Sequence, residues 1–243
     1  MRARPVILAI PTLNEEESIG PLLRAIPRES VDGIIIADGG STDATAARAR
    51  DEGATVIDAG RGYGRACFRA AQSAPPNAIM VYMDGDGADD PALIAALTAP
   101  LLAGTHDFVI GSRVTGAREK GSMGWHQIAA GVLIGLAIRA LYGTRYTDMC
   151  AFRAIGRETL LGLGMAEMTY GWNLEMQMKA ARAKLRVLEI PVPNRRRIGG
   201  SSKVSGSFRG TVRAGSRIVS TFIRIACEQA PVSPSHPTRE VKP

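Results

Sequence analysis

The acidic run Asp84-Gly85-Asp86 follows an apolar stretch of the sequence and opens a loop. Carboxylates two residues apart on a loop can turn toward one hard cation, and oxygen ligands suit Mg²⁺ or Mn²⁺. A calcium-binding loop is excluded, because its fifth, sixth and twelfth positions would be Ala88, Asp89 and Ala95. The plain structural alternative is a polar turn with an Asp helix cap before Pro91.

Two further polar clusters also follow apolar runs. They are Pro11-Thr12-Leu13-Asn14-Glu15 and Asp38-Gly39-Gly40-Ser41-Thr42-Asp43. Each could bind a ligand or simply turn the chain into a helix, and in the second cluster Ser41 or Thr42 is the predicted N-cap. The sequence lacks the GxxxxGK[ST] phosphate loop. Gly60-Arg61-Gly62-Tyr63-Gly64 resembles a dinucleotide fingerprint only weakly, because it does not follow the first strand.

Alternating strands and helices place these clusters in the first half of the chain. Apolar runs predict five strands: Val6–Ile10, Gly33–Ala37, Thr55–Asp58, Ala78–Met83 and Phe108–Gly111. Amphipathic segments between them predict four helices: Ser18–Ala25, Ser41–Glu52, Gly64–Ala74 and Pro91–Leu102. This alternation predicts an α/β fold with a mostly parallel central sheet and helices on both faces. Ligands of such sheets bind beyond the carboxyl ends of the strands, where the three clusters lie.

The second half of the chain has a different pattern. Helices are predicted over Trp125–Tyr142, Trp172–Ala183 and Ser207–Cys227, a strand over Leu185–Val192, and an unassigned segment over Thr147–Ala154. A loop rich in Gly, Ser and Arg covers 195–206, and the proline-rich tail over 230–243 is expected to be disordered.

Composition and charge narrow the classes of protein. The 243 residues are 45% apolar and 22% charged, which excludes a wholly disordered or fibrous chain. Residues 1–110 carry 9 Lys and Arg against 15 Asp and Glu, whereas residues 111–243 carry 21 against 8. Such a division predicts an acidic half that holds a cation and a basic half that faces an anion. Three widely spaced cysteines, with no CxxC pair, favour a reducing cytoplasm, and we expect neither a signal peptide nor a spanning helix.

Six motifs, taken in chain order, resemble those of the family 2 glycosyltransferases of the GT-A fold, specifically the dolichyl- or polyprenyl-phosphate sugar synthases. The matching segments are 11–15 (PTLNE), 38–43 (DGGSTD), 84–86 (DGD), 111–113 (GSR), 147–153 (TD and FR) and 189–203 (EIPV and RIGGSSK). The resemblance covers about residues 6–206. It departs at Gly39, where the family has a second acidic residue, and at Ala88, where many relatives carry Gln.

The resemblance implies a Rossmann-like GT-A domain over 1–206, with a nucleotide-binding half of about 1–110 and an acceptor half of about 111–206. It implies inverting transfer of a hexose from a donor of the GDP-mannose or UDP-glucose type. The implied metal ligands for Mg²⁺ or Mn²⁺ are Asp84 and Asp86. Donor-binding residues would be Pro11, Thr12, Asn14, Glu15, Asp38, Asp84 and Asp86, and catalytic residues would be Asp86, Asp148 and Arg113.

The acceptor is left with two alternatives. A polyprenyl phosphate is already anionic at neutral pH and needs cations rather than a base, which Arg113, Arg197, Ser202 and Lys203 would provide. A sugar or small-molecule hydroxyl would need a carboxylate to take its proton, and Asp148 is the candidate. Asp148 could equally be a structural acid. A nucleotidyltransferase is disfavoured, because the first strand does not lead into a glycine-rich loop.

The basic C-terminal helix over 207–229 suggests a membrane partner. Arg213, Arg217 and Arg224 fall at helical spacing, which suits an anionic leaflet at the cytoplasmic face. The apolar segment 128–138 is too short to span a bilayer but could enter its surface. The alternative is that both helices pack on the catalytic domain, on a second copy or on a membrane partner subunit. A non-catalytic basic protein is the third function considered; binding to nucleic acid is disfavoured, because no aromatic stacking motif accompanies the charge.

Overall fold

Seven strands form one sheet in the order β3-β2-β1-β4-β6-β5-β7. The computed structural model describes residues 4–117, 119, 125–199 and 208–228. The strands are β1 (Val6–Thr12), β2 (Gly33–Asp38), β3 (Thr55–Asp58), β4 (Ile79–Tyr82), β5 (Phe108–Ser112), β6 (Arg153–Gly156) and β7 (Val187–Pro191). Strand β6 runs antiparallel to β4 and β5, and the other pairings are parallel. The predicted mostly parallel α/β sheet is confirmed.

Strand register brings the polar clusters to one edge of the sheet. Strand β1 is apolar almost throughout, as expected for a parallel strand covered on both faces, and Val6 to Ile10 are buried. At its end Thr12 lies abreast of Asp38 on β2. On the other side β4 pairs with β1 in parallel, so the loop that follows Tyr82 begins beside the end of β1. The carboxyl ends of these three central strands therefore form a common ledge.

Helices connect and cover the strands. They are α1 (Glu16–Ala25), α2 (Thr45–Asp51), α3 (Tyr63–Ser73), α4 (Ile94–Leu102), α5 (Trp125–Tyr142), α6 (Arg157–Gly162), α7 (Trp172–Arg182) and α8 (Phe208–Cys227). Helices α1 and α2 lead outward from β1, and α3 returns across the sheet to β4 and packs on β1 and β2. The chain therefore reverses direction at β1 and β4, and in open α/β sheets such a switch point is where ligands bind.

Two elements were not predicted, and one helix starts later than expected. The segment over 147–154 contains the first residues of β6, and α6 follows it without a break. Helix α2 begins at Thr45, so the N-cap prediction for Ser41 or Thr42 was wrong. Before α4, Pro91 occupies the first turn of a 3-10 helix, and Asp90 accepts a hydrogen bond from the Ala92 amide at 3.2 Å, as the helix-cap interpretation predicted.

Helix α8 turns part of its basic face toward the catalytic domain. Arg224 pairs with Glu175 at 3.1 Å. Glu175 is wholly buried on α7 and also forms a salt bridge with Lys179 at 3.0 Å. The Thr221 hydroxyl donates to Glu167 at 3.1 Å. Arg224 thus pairs with Glu175 and Arg217 lies 3.5 Å from Glu167, as in the alternative in which α8 packs on the rest of the chain, and the membrane contact of these arginines stays a prediction.

Apolar side chains occupy the outward faces of the two long helices instead. Val219 and Ile223 on α8 are 58% and 56% exposed, and Leu133 and Leu136 on α5 are 66% and 56% exposed. No helix in the part of the chain that the structure describes is both long enough and apolar enough to cross a bilayer. The tail over 230–243, Ser202, Lys203 and the side chain of Arg213 lie outside the described residues.

Candidate active site

The loops after β1 and β2 are fastened to each other by Asn14 and the residues that face it. Asn14 has a positive φ of 51°, a left-handed conformation that Asn tolerates better than most residues. Its amide donates to the Ser41 hydroxyl at 2.9 Å, and its side-chain oxygen accepts from the Thr42 amide at 2.8 Å. The Glu15 amide donates to the Thr45 hydroxyl at 2.8 Å. Ser41 and Thr42 thus join the two loops rather than capping a helix.

Asp38 shapes the turn after β2. Its carboxylate accepts hydrogen bonds from the amides of Gly40 and Ser41, at 3.1 and 2.9 Å, and from the Thr12 hydroxyl at 3.2 Å. Carboxylates that accept several amide bonds fix the backbone around them. The donor-binding role predicted for Thr12 and Asp38 therefore includes building a rigid ledge at the ends of β1 and β2. Pro11 lies within β1, opposite Ala37.

The acidic loop after β4 rests directly on this ledge. The Gly85 carbonyl accepts a hydrogen bond from the buried Ser18 hydroxyl at 2.8 Å, and Ser18 also donates to Glu15 at 3.2 Å. A Cβ at Gly85 would lie only 3.2 Å from the Thr12 methyl group, so a side chain there would push the loop away. Ser18, which was not among the predicted site residues, therefore sets the distance between Glu15 and the Asp84-Gly85-Asp86 loop.

Burial and mutual repulsion disfavour the ionised form of the carboxyls in the acidic loop. Burial raises the pKa of Asp84, and the neighbouring charge of Asp86 raises it further, while Arg113, Tyr63 and Arg197 lower it in part. Burial and the charge of Asp84 likewise raise the pKa of Asp89. Carboxyls that resist ionisation in this way are stabilised by a bound positive charge. Among the described residues no group of three or more His, Cys, Asp or Glu side chains is arranged to hold a metal, so a metal here would also need oxygen ligands from a substrate or water.

Arg197 brings positive charge onto the acidic loop from the far end of the sequence. Its guanidinium lies 3.1 Å from a carboxylate oxygen of Glu15 and 3.4 Å from Asp86. The Ile198 amide donates to the Asp86 carbonyl at 2.9 Å, which holds the segment against the loop. Gly87, with a φ of +76°, makes room for this contact, because a Cβ there would come within 2.4 Å of the Ile198 side chain.

Arg113 and Asp148 form a second charged pair beside the acidic loop. Nε of Arg113 lies 2.8 Å from Oδ2 of Asp148 and Nη2 lies 2.9 Å from Oδ1, and the amides of Arg113 and Met149 donate to the same carboxylate. Burial alone would raise the pKa of Asp148, but the hydrogen bonds and charge of Arg113 hold it below the usual value. A carboxyl with a lowered pKa takes up a proton less readily, which favours the structural alternative for Asp148, and its bonds hold the Arg113 guanidinium in place.

Glu189 supports this pair and had no predicted role. Its carboxylate accepts from the Thr147 amide at 2.9 Å and from the Thr147 hydroxyl at 3.0 Å. The Thr147 hydroxyl also lies 2.7 Å from that of Ser112. These bonds hold residues 112–113 and 147–148 side by side, although the two segments are 35 residues apart. In the sequence Glu189 opens the EIPV motif and is a lone acid inside an otherwise apolar strand, but neither signal indicated its contact with Thr147.

Comparison with known proteins agrees with this architecture. Residues 7–162 match the family described as glycosyl transferase family 2. An uncharacterised glycosyltransferase of Mycobacterium tuberculosis is 36% identical over 217 residues, which are 88% of this chain and 96% of that protein. The undecaprenyl-phosphate mannosyltransferase of Micrococcus luteus is 29% identical over 84% of this chain and 89% of its own length.

A solved structure shows the same fold. The glucosyl-3-phosphoglycerate synthase of Mycobacterium tuberculosis, in complex with Mn²⁺, uridine diphosphate and glucosyl-3-phosphoglycerate, superimposes with a TM-score of 0.74 at 22% identity, over 92% of this chain and 80% of that one. The family match covers more than half of the chain and includes both the ledge and the acidic loop. The chain belongs to glycosyl transferase family 2 and is a glycosyltransferase with the GT-A fold.

Proposed function

We propose that the protein transfers a hexose, with inversion, from a nucleoside-diphosphate sugar to a polyprenyl phosphate. The observation that carries the acceptor assignment is the bidentate Arg113–Asp148 pair. It neutralises the carboxylate that was the candidate base and places a guanidinium beside the acidic loop. An acceptor phosphate needs no proton removed, so cations suffice to orient it. The Micrococcus luteus relative, by its name, acts on such a lipid phosphate.

A divalent cation fits the acidic loop. Asp84 and Asp86 would hold Mn²⁺ or Mg²⁺, since their oxygens are hard ligands and their mutual repulsion raises the pKa of Asp84. When bound, the ion would supply Lewis-acid stabilisation of the leaving diphosphate. Glu15 and the ledge around Asp38 would bind the nucleoside. This chain's own contribution is to fix the loop, through Ser18 and Gly85, at one distance from that ledge.

Two arginines would meet the acceptor phosphate. Arg197 contacts both Glu15 and Asp86, and the charge of Arg113 acts on Asp84 and Asp89 of the same loop. Ser202 and Lys203, which follow Arg197 in the sequence, are proposed as further phosphate ligands. The four side chains would surround an anion on the acceptor side of the acidic loop.

The membrane contact would be made by apolar side chains. The outward faces of α5 and α8 expose Leu133, Leu136, Val219 and Ile223, and the segment over 190–227 contains no acidic residue. An anionic leaflet, as at the cytoplasmic face of a membrane, would accept both features. We therefore propose peripheral binding through these two helix faces.

A transfer assay tests the acceptor and the donor together. Radiolabelled GDP-mannose and UDP-glucose are each supplied with a short, water-soluble polyprenyl phosphate or with 3-phosphoglycerate, in the presence of Mn²⁺. The proposal expects a labelled lipid phosphate whose anomeric configuration is opposite to that of the donor. Label transferred to 3-phosphoglycerate alone, or lipid transfer that survives EDTA, would overturn the acceptor or the metal assignment respectively.

A further inference from the structure

The glycine-rich segment over 60–64 packs against protein backbone. Gly62 has a φ of +127°, and a Cβ there would lie 2.5 Å from the Met168 carbonyl oxygen. A Cβ at Gly64 would lie 2.4 Å from the Glu167 carbonyl oxygen, and the Arg65 amide donates to Met168 at 3.0 Å. The two glycines therefore let the start of α3 press against residues 167–168. Tyr63, between them, begins α3 one turn before Cys67, whose carbonyl accepts a hydrogen bond from the hydroxyl of Tyr82, two residues before Asp84.

The Tyr63 hydroxyl is a buried polar group that is not satisfied by a hydrogen bond. It has no hydrogen bond of ordinary geometry with the residues that the structure describes. The side chains that act on it are those of Asp84, Cys67, Arg153 and Asn173, and the hydroxyl in turn lowers the pKa of Asp84. A buried hydroxyl without a partner lowers the stability of the folded state, because it loses its hydration and no hydrogen bond replaces it. Such a hydroxyl near a carboxylate therefore indicates a functional role.

We propose that Tyr63 is a positioning residue for the metal site, whose hydroxyl donates a hydrogen bond to Asp84 when that carboxylate binds a divalent cation. One oxygen of Asp84 would face the ion and the other would accept from Tyr63. Bonds of this kind orient metal ligands and commonly change metal affinity by about 10- to 100-fold. The inference rests on the proposed function, because it assumes that Asp84 holds a metal.

Manganese binding measures this role without any turnover. Free Mn²⁺ is titrated by electron paramagnetic resonance against the wild type and Tyr63→Phe, in the presence of saturating UDP or GDP. We expect Tyr63→Phe to bind Mn²⁺ roughly 10-fold more weakly. Its melting temperature should stay level or rise, because only an unpartnered hydroxyl is removed. In steady-state assays its KM for Mn²⁺ should rise more than kcat falls.

Tyr82→Phe is the matched control. Tyr82 is also buried, but its hydroxyl donates to the Cys67 carbonyl at 3.2 Å and Asp84 does not influence it. This variant should melt at a lower temperature and bind Mn²⁺ like the wild type. A second control combines Tyr63→Phe with Asp84→Asn, where the tyrosine substitution should add no further loss of affinity.

The outcomes separate the two proposals. A wild type that binds no Mn²⁺ with either nucleotide would overturn the metal site of the proposed function. A wild type that binds Mn²⁺, together with a Tyr63→Phe variant of equal affinity, would overturn the role of Tyr63 alone. A loss in Tyr63→Phe that persists undiminished in the Asp84→Asn background would assign the hydroxyl to another partner, such as Asn173, and would also contradict the inference.

Discussion

Individual carboxylates at this site do different work according to what contacts them. Asp148 is neutralised by Arg113, Asp38 closes a turn, and Glu189 holds Thr147 in place. Asp86 is different, because among the described residues its side chain accepts from the Ala88 amide at 3.0 Å and lies 3.4 Å from the Arg197 guanidinium, beside the like charges of Asp84 and Asp89. A cation in the place of the Arg197 guanidinium would therefore meet this carboxylate without a change in the direction of its side chain.

Replacing Asp86 with Asn should abolish transfer while leaving the fold intact. The amide oxygen can still accept from Ala88, but the charge that holds the metal is lost, and we expect a fall in turnover of about 100-fold or more. Initial rates with Mn²⁺ and a thermal melt measure the two effects. Asp90→Asn serves as a control, because Asp90 caps a helix and pairs with Arg195. Full activity in Asp86→Asn would contradict the metal role.

Gly39 should relax the choice between nucleoside bases. Where related sequences place a second acid, this chain has no side chain, and a Cβ would lie 3.2 Å from the Thr12 carbonyl. We expect UDP and GDP to bind within about 100-fold of each other, or about 2.7 kcal/mol. Gly39→Asp should widen that ratio, and Gly39→Ala should not. Competition binding gives the ratio, and a wild type of greater selectivity would refute the expectation.

At the scale of elements, local sequence patterns predicted most helices and strands, but they could not predict which elements would pack against each other. The helix Trp125–Tyr142 and the strand Thr55–Asp58 have the bounds that their apolar runs predicted, although the run of the strand is short. Strand β6 was not recognised, since four residues that begin with the fully buried Arg153 give no alternating pattern.

The same limit applies within the site. The order of motifs predicted which loops would meet, and the ledge and acidic loop do meet. The pairing of Arg113 with Asp148 and the packing of α8 were not predictable, because amphipathic spacing does not say which face of a helix meets the protein. Tyr63 was set aside with its glycine-rich segment, since only the contact with residues 167–168 reveals its direction.

Helix α8 should be held by charge pairs and bind lipid by its apolar face. Arg224→Ala removes one of the two cations that pair with the buried Glu175, whose other oxygen accepts from the Ala166 and Glu167 amides, so we expect a loss of about 1–3 kcal/mol in the free energy of unfolding. Arg217→Ala, at a more exposed pair, should lose less than about 1 kcal/mol. Ile223→Ser should instead reduce cosedimentation with anionic vesicles while stability changes little. If the arginine variants reduce vesicle binding and Ile223→Ser does not, the arginines rather than the apolar face contact the membrane.

At the scale of the whole molecule, the buried carboxyls of the acidic loop should make stability depend on pH, and a bound metal should reverse the direction of that dependence. Burial and neighbouring charge raise the pKa of Asp84 to about 6 and that of Asp89 to about 7. Ionising such groups opposes folding, so their contribution to stability is complete at low pH and is lost as the pH rises through these values. A metal reverses the trend, because it binds the ionised form.

Thermal melts across pH should show this linkage. Without metal, the melting temperature should rise as the pH is lowered from about 7 to about 4, that is, between the raised pKa values of the folded protein and the ordinary value of the unfolded chain. Below about pH 4 it should fall, since the lowered pKa of Asp148 makes its contribution disappear on protonation. Mn²⁺ with nucleotide should stabilise most at the alkaline end. Asp89→Asn should flatten the upper part of the profile, and a profile unchanged by this substitution would exclude Asp89 as the source.

Strand order also has a consequence for the chain while it is being made. Strand β6 enters between β4 and β5, so the edge of β4 stays unpaired until residue 156 has been synthesised. At about 5–20 residues per second, the 74 residues between the end of β4 and the end of β6 take roughly 4–15 s. During that interval the nascent first half presents an open, apolar strand edge, a template for pairing with other chains. Correct folding of the nascent first half therefore depends on the arrival of residues 153–156, which close this edge.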